Sequence, residues 1–306
     1  MSEHTPGAGR TRDLEGYRVV AVHAHPDDES ISTGGALADL ARRGADVLVV
    51  TCTLGEEGEV IGETYQQLIQ DEADQLGGFR IHELHRALGI LGVRGVFLGG
   101  AGHYRDSGMA GSPASRNPRS LVNSGEGGVE KLAAIFAAER PHLVITYDPD
   151  GGYGHPDHIR AHELAHAAAE RTGVPRLVWA ARLRSELEAG LPAAAPEGWT
   201  MPAPGELDAV DETETWVELD DETYAAKVEA MRAHATQIWI GDGATSETNP
   251  HAAVAGGELT AYALSNLVTQ VVTRREHYRS GAGLPLTPGG GLLDGIERGD
   301  HDGGAR

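Results

Sequence analysis

The sequence holds one cysteine, Cys52, among 306 residues, so no disulfide can form within the chain. That thiol closes the apolar run Val47-Leu48-Val49-Val50-Thr51-Cys52 and reads as a buried strand residue rather than a nucleophile. Lysine is almost missing as well: Lys131 and Lys227 are the whole complement, and 46 acids against 25 Lys plus Arg leave a formal charge of -21. A chain without basic clusters cannot neutralise a phosphate backbone, which excludes a general nucleic-acid binder. No run of about eighteen apolar residues occurs, so no membrane partner is expected. The N-terminal residues are polar with no apolar signal core, and a cytoplasmic location is the expectation. There is no internal repeat of about twenty to fifty residues.

What the chain does have is 40% hydrophobic content, enough to bury a full core. Arg18 to His23 reads as a buried strand, Gly34 to Arg43 as a helix stopped by Gly44, and Asp46 to Cys52 as a second strand. That βαβ spacing favours parallel pairing. Leu54 to Gly62 is a glycine-rich acidic loop, and Tyr65 to Leu91 a helical region broken at Gly77-Gly78. Val96 to Leu98 reads as a third strand, 99–125 as a long loop, Val129 to Arg140 as a helix, and His142 to Thr146 as a fourth strand. A helix to Thr172 and a strand over Arg176 to Ala180 come next. Residues 190–215 read as a connection, Tyr224 to His234 as a helix, Gln237 to Ile240 as a strand and Leu259 to Arg274 as a helix. The polar or Gly-rich stretches 1–16 and 281–306 are expected to be flexible tails.

Two stretches carry chemistry. Val22-His23-Ala24-His25-Pro26-Asp27-Asp28-Glu29-Ser30 leaves the first strand, and Gly152-Tyr153-Gly154-His155-Pro156-Asp157-His158 leaves the fourth. Both lie at the carboxyl edge of a parallel sheet, where residues distant in sequence meet a ligand. Two imidazoles and a carboxylate with one open position fit catalytic Zn²⁺, so His25, Asp28 and His158 are the expected ligands. Asp27, pointing elsewhere on the same turn, is the expected base toward a water acidified by the metal. His155 is placed to protonate a leaving group or stabilise an oxyanion, Asp157 to orient its ring, and Tyr153 to hydrogen-bond a substrate carbonyl. Such groups fit amide hydrolysis. His23, on the strand face of His25, is expected to pack rather than ligate. His162-Glu163-Leu164-Ala165-His166 matches a zinc-peptidase spacing, but it begins over a turn beyond the sheet edge and no third ligand comes after it.

Ala24-His25-Pro26-Asp27-Asp28 and Gly154-His155-Pro156-Asp157-His158, as an ordered pair, resemble the two signatures of the LmbE-like (PIG-L type) zinc deacetylases. Within that family, the stretch Thr51 to Gly62, Leu76-Gly77-Gly78, Gly99 to Gly102 leading into Arg105 to Met109, Ala233 to Gln237 and Leu264-Ser265-Asn266 resemble the branch acting on N-acetylglucosaminyl-inositol in mycothiol biosynthesis. The match is dense from Tyr17 to about Arg160 and patchy afterwards. The resemblance implies an α/β fold, with a Rossmann-like, mostly parallel sheet and helices on both faces over 17–180. It also implies a small C-terminal α+β subdomain over 181–280 rimming the pocket. A small-molecule glycoside substrate is implied, with Arg80, Asp106, Glu59 and Met109 contacting sugar or inositol. From the residues alone, Arg80 reads as an ordinary helix-surface side chain.

Three other readings compete. The related mycothiol S-conjugate amidases share both signatures but differ in the acidic loop after the second strand. A two-His, one-carboxylate set is also the facial triad of non-haem Fe²⁺ oxygenases, and the same ligands can take Fe²⁺. A metal-stabilised sugar-binding module would use the same residues without turnover.

Overall fold

The computed structural model describes residues 12–298. Its seven-stranded sheet has the order β3-β2-β1-β4-β5-β10-β6. The first five strands are β1 (Arg18–His23), β2 (Asp46–Thr51), β3 (Arg94–Phe97), β4 (Leu143–Thr146) and β5 (Arg176–Ala181), and their pairings are parallel. β6 (Thr215–Glu218) and β10 (Arg275–Gly283) complete the sheet antiparallel. β1, β2 and β4 read as unbroken apolar runs because the sheet is covered on both faces. Val20, Val22, Leu48, Val50 and Val144 pack on α3 (Gly125–Glu139) and α5 (Pro156–Thr172) through Leu132, Phe136 and Leu164. The alternate residues Val19, Ala21, Val47, Val49, Leu143 and Ile145 pack on α1 (Asp28–Arg42) and α2 (Leu76–Leu91).

The strand order reverses direction between β1 and β4. Loops leaving neighbouring strands on either side of that point diverge to opposite faces and open a crevice between them. Residues 24–27 leave β1 there, and the glycine turn α4 (Gly151–Gly154) comes after β4 and leads into α5. The rest of the chain supplies α6 (Arg184–Gly190), α7 (Asp221–Ala233), which packs on α1 and α2, and a three-stranded antiparallel sheet of β7 (Trp239–Gly241), β8 (Ala261–Ala263) and β9 (Gln270–Val271), whose Tyr262 and Gln270 reach the crevice.

Several expectations are corrected. α2 starts at Leu76, so Gly77-Gly78 lie in its first turn and do not break a helix; before them only Gln66–Leu68 forms a 3₁₀ turn. A Cβ at Gly77 would stand 2.7 Å from Glu56 Cγ, so the glycine admits the acidic loop against the helix. The helix expected over 259–274 is instead β8 and β9, in keeping with the β-branched run Val268, Thr269, Val271, Val272 and Thr273. C-terminal residues supply β6 and β10 to the main sheet, so the boundary expected at 180/181 does not divide the sheet from the C-terminal region. Residues 281–298 are no loose tail: Leu286, Leu292, Leu293 and Ile296 join the core. The buried Arg176 guanidinium donates to the carbonyls of Leu284, Pro285, Leu292 and Asp294 at 2.7–2.9 Å. Residues 1–11 and 299–306, the remainder of the expected tails, lie outside the described residues. Among the described residues no helix is long and apolar enough to cross a membrane.

Candidate metal centre and active site

The two loops meet at the crevice. His158 Nε2 lies 3.3 Å from His25 Nδ1, His25 Nδ1 lies 3.4 Å from Asp28 Oδ2, and His158 Nε2 lies 3.4 Å from Asp28 Oδ1. A tetrahedron with metal–ligand arms of about 2.0–2.1 Å has edges of about 3.3–3.4 Å; His25 Nδ1 and His158 Nε2 stand at that spacing, and Asp28 faces each of them with a different carboxylate oxygen. All three residues are buried.

Each donor is held from behind. His158 Nδ1 donates to the Gly151 carbonyl at 3.1 Å, which turns Nε2 toward the cluster, and its ring stacks on Tyr147 at 4.2 Å. The Tyr147 hydroxyl donates to Asp28 Oδ2 at 2.7 Å and accepts the Ala24 N–H at 2.8 Å. The far side of His25, Nε2, lies 3.4 Å from Asp157 Oδ2 and 3.6 Å from Asp106 Oδ1. A carboxylate behind an imidazole fixes its tautomer and leaves the opposite nitrogen to a metal. Two groups without Asp28, His25/His155/His158 and His25/Asp106/Asp157, have one ligand atom per residue all within 4.8 Å of one another. In the first, His155 already spends Nδ1 on the Asp157 N–H; the second uses the back of the His25 ring.

Asp27 sits beside this cluster, not in it. Its φ of 121° is outside the region that L residues adopt freely, and three contacts hold it there. Arg80 donates to Asp27 Oδ2 at 3.1 Å and to the Pro26 carbonyl, and Glu29 Oε2 accepts the Asp27 N–H at 3.0 Å. Burial raises the Asp27 carboxyl to about 6, with Arg80 opposing and Asp28 adding to the rise. Burial, with His25 and His158 alongside, depresses His155 to about 3, so its ring is neutral. Because His155 Nδ1 accepts a backbone N–H, that neutral ring carries its hydrogen on Nε2.

The expectation that Asp157 orients His155 is corrected. From the first turn of α5 its carboxylate points inward, taking the Ser107 N–H at 2.9 Å and facing His25; His155 receives only its backbone N–H. Arg80 is also not a surface residue: it is 3% exposed and its guanidinium spans Gly55, Pro26 and Asp27. Asp106 is buried and accepts the N–H groups of Gly108 at 2.8 Å and Glu57 at 3.3 Å. Glu59 is exposed and accepts the Ser265 hydroxyl at 2.8 Å, while Met109 and Tyr153 are 55% and 58% exposed. With Asp157 excepted, every expected site residue lines one cavity of about 570 Å³.

His23 is buried with Nε2 3.0 Å from Thr33 Oγ1. His162 donates to the Tyr147 carbonyl at 2.9 Å and His166 accepts from Trp179 Nε1 at 2.9 Å, so both are consumed in packing. Sequence reasoning missed Tyr147 and the fully buried pair Glu29–His234, 2.7 Å apart. Burial opposes charge at both, yet Glu29 holds His234 above its ordinary value and His234 holds Glu29 below its own. Tyr147, one residue beyond β4 at the edge already singled out, had a positional signal; His234, 205 residues from Glu29, had none.

Residues 20–169 match the pattern of the family PIG-L, described as GlcNAc-PI de-N-acetylase. A 1D-myo-inositol 2-acetamido-2-deoxy-alpha-D-glucopyranoside deacetylase of Corynebacterium glutamicum (strain R) is 62% identical over 291 residues, covering 93% of this chain and 98% of that relative. Its namesake from Nocardia farcinica (strain IFM 10152) is 50% identical over 279 residues, covering 85% and 88%. Among solved structures, an N,N'-diacetylchitobiose deacetylase from Pyrococcus horikoshii aligns over 72% of this chain and 70% of its own, with a TM-score of 0.49 and 19% identity.

Proposed function

Because the chain belongs to the PIG-L family of de-N-acetylases, we propose that it hydrolyses the acetamide of 1D-myo-inositol 2-acetamido-2-deoxy-α-D-glucopyranoside in the cytoplasm, releasing acetate and the free amine in mycothiol biosynthesis. The observation that carries the chemistry is the meeting of two His-Pro-Asp loops at the reversal of strand order, with the side chains of His25, Asp28 and His158 approaching one another to 3.3–3.4 Å.

In this reading His25, Asp28 and His158 hold Zn²⁺, with Fe²⁺ as the other ion the set accommodates. A divalent ion held there would supply a water acidified to a pKa of about 7 and a Lewis acid toward the acetamide carbonyl. Asp27 takes the proton of the attacking water and returns it to the departing amine, which balances the reaction without a second acid. The neutral His155 donates Nε2–H to the oxygen of the tetrahedral carbon, and Tyr153, whose hydroxyl has no partner among the described residues, donates to the same oxygen. Asp157 and Tyr147 position His25 and Asp28. Arg80 holds Asp27 from below, and Asp106, Glu59 and Met109 face the sugar.

A product assay tests this. Metal-replete enzyme should release acetate from the inositol conjugate faster than from free N-acetylglucosamine or a mycothiol S-conjugate, with no oxygen consumed. Preference for the S-conjugate would make the chain an amidase, and oxygen consumption would make it an oxygenase.

The ligand assignment sets two further outcomes. Tyr147→Phe should weaken metal affinity by about 10- to 100-fold, since it strips Asp28 of its oriented donor; a competitive chelator titration reads this. The His162→Ala/His166→Ala double variant should keep its metal, and metal loss would move the site onto α5.

A further inference from the structure

Beside the second His-Pro-Asp loop, the cavity wall is built by segments with no part in the chemistry above. Arg182 succeeds the last residue of β5, Asp208 lies in the connection to β6, and Tyr262 and Gln270 stand on β8 and β9; all four side chains line the cavity. The Val210 N–H donates to the Arg182 carbonyl and the Arg184 N–H to the Val210 carbonyl, both at 2.9 Å, so the Asp208 segment is zipped along the Arg182 segment. Asp208 also abuts the active-site turn: a Cβ on Gly152 would lie 3.1 Å from Asp208 Oδ2.

Neither charge has an ion-pair partner among the described residues. Arg182 Nη1 donates to Gln270 Oε1 at 2.8 Å, an oxygen that also accepts the Tyr262 hydroxyl at 3.0 Å. Gln270 is 6% exposed and Tyr262 3%, so the guanidinium rests on a buried bracket that engages it through Gln270 and through the Tyr262 hydroxyl. Among the described residues Arg182 has no carboxylate partner, in a chain with nearly twice as many acids as bases. Asp208 likewise has neither an ion-pair partner nor a side-chain hydrogen bond there. Burial raises the Asp208 carboxyl, with Arg182 and Arg184 opposing the rise and Asp148 and Asp150 adding to it.

We propose that Arg182 and Asp208 form the subsite for the aglycone, an uncharged polyol bound through vicinal hydroxyls that bridge the gap between guanidinium and carboxylate. A hydroxyl is both donor and acceptor: one accepts from Arg182 while its neighbour donates to Asp208. The paired charges sum to zero, which suits a neutral ring of hydroxyls. The subsite rests on the deacetylation proposed above, because the acetamide at His25, Asp28 and His158 fixes one end of the ligand in the cavity.

The test is a ratio measured on two substrates that share the acetamide. For Arg182→Met and, separately, for Asp208→Asn, kcat/KM is measured on the inositol conjugate and on free N-acetylglucosamine, which lacks the aglycone. Loss of a hydrogen bond to a charged group should lower the conjugate-to-monosaccharide ratio about ten- to a hundredfold, chiefly through KM. Asp208→Asn keeps the shape of a half-buried loop residue, so it stands as the second variant should Arg182→Met fail to fold. A ratio equal to that of the wild type, whether both activities fall together or neither falls, overturns the subsite. If the wild-type, metal-replete chain releases no acetate from either substrate, the deacetylation reading falls and takes the subsite with it.

Discussion

Asp27→Asn should lower kcat for deacetylation by about 10²- to 10⁴-fold while the protein keeps its metal. Asn is isosteric and retains an oxygen for the Arg80 guanidinium, now 3.1 Å from Asp27 Oδ2, and its backbone N–H still reaches Glu29 Oε2. The cluster of His25, Asp28 and His158 does not use the Asp27 side chain, so metal content measured by elemental analysis should equal that of the wild type. What disappears is the group that accepts the proton of water. The backbone at Asp27, with φ 121°, is the one strained non-glycine position in the cluster, and Arg80, Glu29 and through Glu29 the buried His234 all act to hold it. That much support around one carboxylate is consistent with a base whose position matters. An unchanged kcat with metal bound would sink the base assignment, and would favour a sugar-binding module if no acetate were released by either form.

Much of this architecture is legible in the sequence, for identifiable reasons. β1, β2 and β4 are central strands buried on both faces, so they appear as continuous apolar runs. The two His-Pro-Asp stretches come directly after two of them, and a parallel sheet delivers such exits to one edge. Local pattern fails where tertiary contacts decide. Gly77-Gly78 looks like a break inside a longer helix and is the first turn of α2, where Gly77 lets the loop carrying Glu56 approach. Arg80 looks like a surface residue because nothing in α2 itself announces the loop that buries it. The Gly-rich C-terminal stretch looks frayed, yet Arg176 collects its carbonyls and four apolar residues reach the core. Proximity in sequence pairs Asp157 with the wrong imidazole, His155 two residues before it, because the direction of its carboxylate is set only by the first turn of α5.

Removal of a metal ligand should cost more than activity, because it separates the three donor sets the cluster contains. Asp28→Ala and His158→Ala should abolish stoichiometric metal binding, and with it turnover. Thermal unfolding supplies the independent reading. A ligand present at about a thousand times its Kd stabilises a native state by about 4 kcal/mol, so zinc added to the stripped wild type should raise its melting temperature by several degrees. In Asp28→Ala that rise should vanish. In His155→Ala and Asp106→Ala it should persist, since His155 Nδ1 is occupied by the Asp157 N–H and Asp106 stands 3.6 Å behind the His25 ring, on Nε2. The reverse pattern, a zinc-dependent rise kept by Asp28→Ala and lost by His155→Ala, would assign the metal to the three imidazoles of His25, His155 and His158. It would also leave Asp28 as a carboxylate pinned by the Tyr147 hydroxyl for some other purpose. The 3.3 Å approach of His25 Nδ1 to His158 Nε2, the Gly151 carbonyl behind His158 and the Tyr147 hydroxyl behind Asp28 favour the first pattern. The last two restrain different side chains, and a buried tyrosine holding Asp28 beside two imidazoles is the arrangement expected behind a ligand.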